Sequence, residues 1–258
     1  MTDRPAEATQ VHTRLLKCSL DLDESRAYWR HSVTGEPITA ERAFTEYWFG
    51  ARSLARVALL LINFRARFDA YPAALAVLQR WTDMDLASRK VICHWHLQLS
   101  DPLYRNFTGT YLLERRQQSP QVRRDAVIAW VGEQSPSRWT MSTRIQFASK
   151  LLTAANAAGL VIGIRDPRPL TFPQVPGEAL TYLLYLLREV QFDGTLLDNP
   201  YLASVGLVDA ELDARLRGLT ALRFRRQGAL FELEWAYPDL TAWASARHAP
   251  LAHAGASA

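Results

Sequence analysis

"RWTMSTRIQFASKLLTAANAAGLVIGIRDPRPLTFPQV", residues 138–175, places several local signals in a telling order. A polar Thr/Ser/Thr/Arg cluster opens it, and an Ala- and Leu-rich run then predicts a helix from about residue 142 to 158. Gly159 stops that helix, since glycine accepts the left-handed C-cap conformation. "LVIGI" has the alternating, β-branched character of a strand. "RDPRP" is a turn, and "LTFPQV" is a short return strand whose Pro173 fits only a sheet edge. Upstream, "QVRRDAVIAWVGEQ" (121–134) reads as a helix offering Val122, Ala126, Ile128 and Trp130 to a core, and "SPSRW" turns the chain. Helix, turn, helix and two-stranded hairpin is the order of a winged helix-turn-helix. That scaffold lays its second helix in a nucleic-acid groove.

A helix over 141–158 aligns Met141, Ile145, Ala148, Leu152 and Ala155 on one stripe, the expected core face. The opposite stripe carries Thr143, Phe147 and Lys150, flanked by Arg144 and Gln146. Thr143, Arg144, Gln146 and Lys150, with Ser142, are residue types that contact phosphates and base edges, and the first-turn N–H groups favour a phosphate. Arg165 and Arg168 on the wing are placed to reach the adjacent backbone, and Arg138 precedes the helix. Phe147 is the discordant residue of that face: it either packs under the wing or marks a phase one position off.

Charge supports the same region. Residues 101–175 carry 10 basic and 5 acidic side chains, against 13 and 11 in residues 1–100 and 7 and 10 in residues 176–258. Three of the 30 basic residues are lysines. Arginine's planar fork suits phosphate, although a GC-rich genome gives the same bias. Two cysteines, Cys18 and Cys93, are too few for a disulfide framework and fit a reducing compartment. "MTDRPAEATQ" has no apolar core of a signal peptide, and the longest uncharged run, 151–164, is too short to span a bilayer. The expectation is a cytoplasmic protein without a membrane partner.

The rest of the chain reads as mainly α. Residues 1–12 look like a loose tail. Acidic residues open the helix "DESRAYWRHS", Thr39 can cap "AERAFTEYWF", and Gly50 ends it. In "ARSLARVALLLINFRARF", Leu54, Val57, Ala58, Leu61, Phe64 and Phe68 share one face and Arg52, Arg56, Asn63 and Arg67 the other. This helix pair is either a second nucleic-acid-facing element through Arg52 and Arg56 or an αα-hairpin with solvated arginines. "GEALTYLLYLLREV" is apolar on most of its surface. "ALRFRRQGALFELEW" is a hairpin turning at Gln227-Gly228, with Phe231, Leu233 and Trp235 on one face. The predicted organisation is an N-terminal helical lobe (13–118) and a C-terminal winged-helix-like lobe with small β-hairpins (119–245), with tails at 1–12 and 246–258.

Catalytic signatures are missing. The sequence has no phosphate-binding glycine loop, nucleophile elbow or metalloprotease motif. In "CHWH", Cys93 and His96 could share a helix face while His94 could not, so a buried helix is favoured over a metal site. No cofactor or metal is expected.

"SRWTMSTRIQFASKLLTAANAAGLV", "LTYLLYLLREV" with "TLLDNPYLASVGL", and "FRRQGALFELEWAYPDL" resemble the BrxA proteins of bacteriophage-exclusion (BREX) defence systems. The resemblance extends from about Leu15 to Trp243. It implies a non-enzymatic, cytoplasmic, double-stranded-DNA-binding component of a multi-gene phage-defence locus, with other defence proteins as partners. It carries over to Ser142, Thr143, Arg144, Lys150, Arg165 and Arg168, and to Arg52 and Arg56. The alternative is an assembly subunit of the defence complex that docks proteins without touching DNA.

Overall fold

The structure, a computed structural model, describes residues 4–32, 37–134, 139–228 and 230–248. It is mainly helical with two small antiparallel sheets. A short 3-10 turn (Arg14–Leu16) leads to α1 (Leu22–His31), α2 (Ala40–Thr45) and α3 (Leu54–Phe64), which continues through a π turn, Arg65–Asp69. Next come α4 (Pro72–Arg80), α5 (Leu86–Ser100) and α6 (Pro102–Asn106), whose π continuation Phe107–Tyr111 runs into α7 (Leu112–Gln118). Strand β1 (Gln121–Val122) precedes α8 (Arg124–Gln134) and α9 (Met141–Ala158), and β2 (Arg168–Pro169) follows. The chain finishes with α10 (Gly177–Glu189), α11 (Pro200–Ser204), α12 (Asp209–Arg217), β3 (Leu222–Gln227), β4 (Leu230–Trp235) and α13 (Leu240–His248).

Local chemistry sets the helix starts. Ser53 Oγ accepts the Arg56 N–H at 3.3 Å, Asp85 Oδ1 the Ser88 N–H at 2.8 Å, and Asp101 Oδ1 the Tyr104 N–H at 2.9 Å. Each satisfies an N-terminal donor that the helix itself leaves unpaired. Proline occupies the first turn of α4, α6 and α11, where its missing N–H costs nothing.

Helix α5 is the axis of the core. Every residue from Val91 to Ser100 is buried, with α1, α6, α9 and α10 packed around it. Its polar side chains are paired inside the protein. His94 joins Tyr104 Oη through Nδ1 and Ser204 Oγ through Nε2, both at 2.9 Å. His96 Nε2 lies 2.7 Å from Tyr182 Oη, and Trp95 Nε1 donates to the Tyr201 carbonyl at 3.0 Å. Burial pushes both imidazoles down to about 3. The "CHWH" stretch is thus a buried helical turn whose polar atoms meet tyrosine and serine, except His96 Nδ1, which has no hydrogen-bond partner among the described residues.

The hydrophobic core is continuous from Leu15 to Ala244. Because α5 packs on both α1 and α9, it joins the two lobes expected from sequence into one packing unit. Over its described residues, 4–12, the expected loose tail is instead tied down. Gln191 N–H donates to the Pro5 carbonyl at 2.8 Å, Glu7 N–H to Gln191 O at 2.9 Å, and Ala8 N–H to Leu99 O at 2.8 Å. Glu7 is buried beneath this strap, accepting from Tyr201 Oη and from Asp193 N–H at 3.2 Å, with Arg105 at 3.4 Å. At the other end, residues 246–248 continue α13 instead of opening a tail, and Arg247 pairs with Asp83 at 3.0 Å and Glu178 at 2.9 Å. The remainder of the predicted C-terminal tail lies outside the described residues.

Helix α3 departs from its predicted phase. Val57, Leu60, Leu61 and Phe64 face inward as apolar residues should, but Asn63 and Arg67 are buried with them. Arg67 donates to the Ser19 carbonyl at 2.7 Å and the Leu20 carbonyl at 3.1 Å, supplying donors to a segment that has no helix or strand partner. Leu54, predicted for the core, is exposed.

Candidate nucleic-acid interface

Helices α8 and α9 form a close pair, and a small sheet lies at their open end. β1 pairs antiparallel with β2, matching Gln121 with Pro169 and Val122 with Arg168. On the other side of β2, Val161 bridges Leu170, with Ile162 N–H donating to Pro169 O at 2.9 Å and Thr171 N–H to Leu160 O at 3.0 Å. The return strand therefore sits at 168–170, earlier than the 170–175 segment expected. Pro173 falls beyond the pairing, where its missing N–H costs no ladder bond.

Thr140 Oγ1 caps α9 by accepting the Thr143 N–H at 3.3 Å, and Gly159 ends it at φ 82°. The core face is rotated from the predicted one. Phe147, Ala148, Leu151, Leu152, Ala154, Ala155 and Ala158 are buried, with the Phe147 ring 4.4 Å from that of Trp139. Met141 and Ile145, assigned to the core from sequence, are exposed. Phe147 carried the signal for this shift, since a fully apolar ring gains most by burial. The outward stripe is Ser142, Ile145, Gln146, half-buried Ser149 and Thr153.

Arg144 does not belong to that stripe. Its Nε donates to the Trp139 carbonyl at 3.1 Å, and its guanidinium lies against Gly132 of α8, where a Cβ would stand 2.8 Å from Nη1. Glycine at 132 is what admits the arginine between the two helices. Thr143 is half-buried, its hydroxyl 3.1 Å from that of Thr140, so it serves the cap. Arg138 lies outside the described residues.

A different set of cations meets at the start of α8. Asp166, in the turn before β2, accepts the Arg124 N–H at 2.7 Å through Oδ2 and the Arg168 Nε–H at 2.9 Å through Oδ1. The Arg124 N–H and then the Arg168 guanidinium hold the Asp166 carboxyl below its ordinary range. Arg124 extends to α9, donating to Ser149 Oγ at 2.8 Å, next in sequence to half-buried Lys150. Arg165 is exposed beside Asp166, and exposed Arg123 pairs loosely with Asp125 at 3.6 Å. Arg123, Arg124, Arg165 and Arg168 thus share this corner with two carboxylates, and Lys150 follows Ser149 on α9. Sequence reasoning missed Arg123, Arg124 and Ser149. The signal was the arginine pair opening a helix inside the most basic third of the chain.

The N-terminal candidates sit elsewhere. Arg52 pairs with Glu24 at 3.2 Å, and Arg56 Nη1 donates to the Lys17 carbonyl. Both arginines hold the α1–α3 region together, and the 3-10 turn that ends just before Lys17 packs against α9. Among the described residues no helix is long and apolar enough to cross a membrane.

No protein-family model matches the chain, and no curated protein matches it in sequence. Among solved structures, it is similar to the crystal structure of an uncharacterized protein from Magnetospirillum magneticum. The two share 17% identity and a TM-score of 0.54, over 70% of this chain and 98% of that one. The likeness is one of fold.

Proposed function

We propose that the protein is a non-enzymatic, double-stranded-DNA-binding component of a bacterial phage-defence system. In this reading β1, α8, α9, the Val161 bridge and β2 act as a winged helix. The observation that carries it is the convergence of Arg123, Arg124, Arg165 and Arg168 on one corner, beside the polar outward stripe of α9 and near Lys150 in sequence. Such a corner is suited to phosphate, with Arg123, Arg124, Lys150 and Arg165 gripping the backbone and Ser142 and Gln146 nearest the groove. Arg168 is mostly committed to Asp166 and positions the turn. The defence setting rests on the resemblance to BrxA proteins.

Fluorescence anisotropy with a random-sequence duplex of about two to three helical turns, titrated over salt, tests the reading. About three or four phosphate contacts give a slope of log affinity against log salt near −3. The slope is expected to shrink by about one unit in Arg124→Ala. No binding at low salt would sink the proposal.

One observation favours a second reading, a protein-docking subunit. Met141, Ile145, Ile162 and Ile164 are exposed on α9 and the wing, and apolar side chains there suit a protein partner better than phosphate. Binding that is insensitive to Arg124 and Lys150 would favour it.

A further inference from the structure

The outward face of α3 is apolar where a surface helix is normally charged. Leu54, Ala55, Ala58, Leu59, Ile62 and Ala66 lie on one arc, interrupted only by Arg65, while the polar Asn63 and Arg67 point into the core. Leu54, Leu59 and Ile62 are 41%, 39% and 57% exposed, and Phe44 and Tyr47 of the preceding α2 segment 40% and 67%. Tyr47 is held at φ 53°, a left-handed conformation that a bulky residue rarely adopts, with its side chain in solvent. A helix apolar on its outward as well as its inward face calls for a partner.

The sequence of the ridge identifies the partner. Leu54, Ala58, Ile62 and Ala66 recur every four residues, alternating large and small. Turned over about a two-fold axis at residue 60, the same ridge places Leu54 against Ala66 and Ile62 against Ala58 of another copy. The four-residue ridge is thus complementary to itself, as a two-fold interface requires and as ridge-into-groove packing favours. The charges agree. Arg65 donates to the Ile38 carbonyl, which sets exposed Glu41 at the C-terminal end of α3, while Arg52 and Arg56 lie at the N-terminal end. An antiparallel pair brings each Glu41 towards the other copy's Arg52, which stays 52% exposed in its pair with Glu24.

Taking about 200 Å² for a large apolar side chain in full exposure, the five residues bury roughly 500 Å² per protomer. Roughly 1,000 Å² in the pair reaches the lower bound for a specific interface. We infer that the α2–α3 face is the contact surface of a weak, two-fold homodimer.

Sedimentation velocity of the full chain without DNA, up to about 0.3 mM, tests this. The expected result is a concentration-dependent dimer that Ile62→Glu converts to monomer while helical circular dichroism is unchanged. A second variant holds if that one misfolds. Across the axis the two residue-62 positions are offset by about 6 Å along the helix and further by the separation of the packed helices, within reach of a short bis-maleimide linker. Both native cysteines are buried, so Ile62→Cys should cross-link with that linker and Leu230→Cys, on the distant hairpin, should not. A wild-type protein that sediments as a monomer throughout, a dimer left intact by Ile62→Glu, or equal cross-linking of the two cysteine variants would overturn the inference.

Discussion

The carboxylate of Asp166 caps the backbone N–H of Arg124 across 42 positions of sequence, at 2.7 Å. One acidic side chain thereby fastens the turn before β2 to the first residue of α8 and lies among the cations of the proposed interface. Stability and electrostatics pull in opposite directions here. Asp166→Asn keeps an acceptor for the Arg124 N–H but gives up the charge-assisted bond to Arg168, at a cost of about 1 kcal/mol. It also removes a negative charge from the surface proposed to meet phosphate. The expected outcome is a lower urea midpoint together with tighter duplex binding at low salt. Weaker binding with unchanged stability would contradict both assignments.

Arg144 and Arg124 separate structure from binding. Arg144→Ala removes the donor to Trp139 O and leaves a void against Gly132, so it should cost about 1–2 kcal/mol with duplex affinity nearly intact. Arg124→Ala should weaken binding by about 1 kcal/mol, roughly fivefold, across unrelated DNA sequences. Paired denaturation and anisotropy measurements on both variants decide the matter.

The buried histidines set an acid limit. His94 and His96 stay neutral in the fold down to about 3, because burial penalises the imidazolium, whereas in the unfolded chain they titrate near 6.5. Between those values the unfolded chain holds more protons than the folded one, so stability falls as pH drops from about 6.5 towards 3. Each histidine contributes a loss of about 2 kcal/mol by pH 5. Urea unfolding at pH 7.5 and 5 measures the sum, and His94→Gln should flatten the dependence.

Glu7 predicts a cost far from the interface. Glu7→Ala strips a partner from Arg105, whose side chain is only 12% exposed, and from the buried Tyr201 hydroxyl. Arg105 keeps its bonds to the Gln98 and Ala8 carbonyls, at 2.6 and 2.8 Å, so losing the buried carboxylate costs about 1.5–3 kcal/mol. Chemical denaturation should show a loss in that range.

Where local chemistry decided the outcome, the sequence was a good guide. Thr39 and Gly159 cap α2 and α9 as their residue types imply, and the β3–β4 pairing sets Leu233 and Trp235 opposite Phe224 and Leu222 on one face. Helix phase was less legible. In α9 the alanines fit either face, so periodicity could not separate a core of Phe147 and Leu151 from one of Met141 and Ile145. In α3, a buried Arg67 reads as surface until the carbonyls of Ser19 and Leu20 are known to need its donors. The strap at residues 5–8 gave no signal at all, since its order comes from partners about 90 and 185 positions away. The basic corner failed for a related reason: Arg124 and Asp166 acquire meaning only when the fold brings them together.

That strap also bears on how the protein is made. Pro5 and Glu7 pair with Gln191, so each must wait for about 185 more residues to be translated before its partner exists. At about 5–20 residues per second the wait is about 10–40 s. During that interval the Glu7 carboxylate lacks its Asp193 and Tyr201 partners and stays open to solvent or to a chaperone. The segment carrying Pro5 and Glu7 is fastened only late in synthesis, and a product that stops before α10 ends would leave the ribosome with that segment loose.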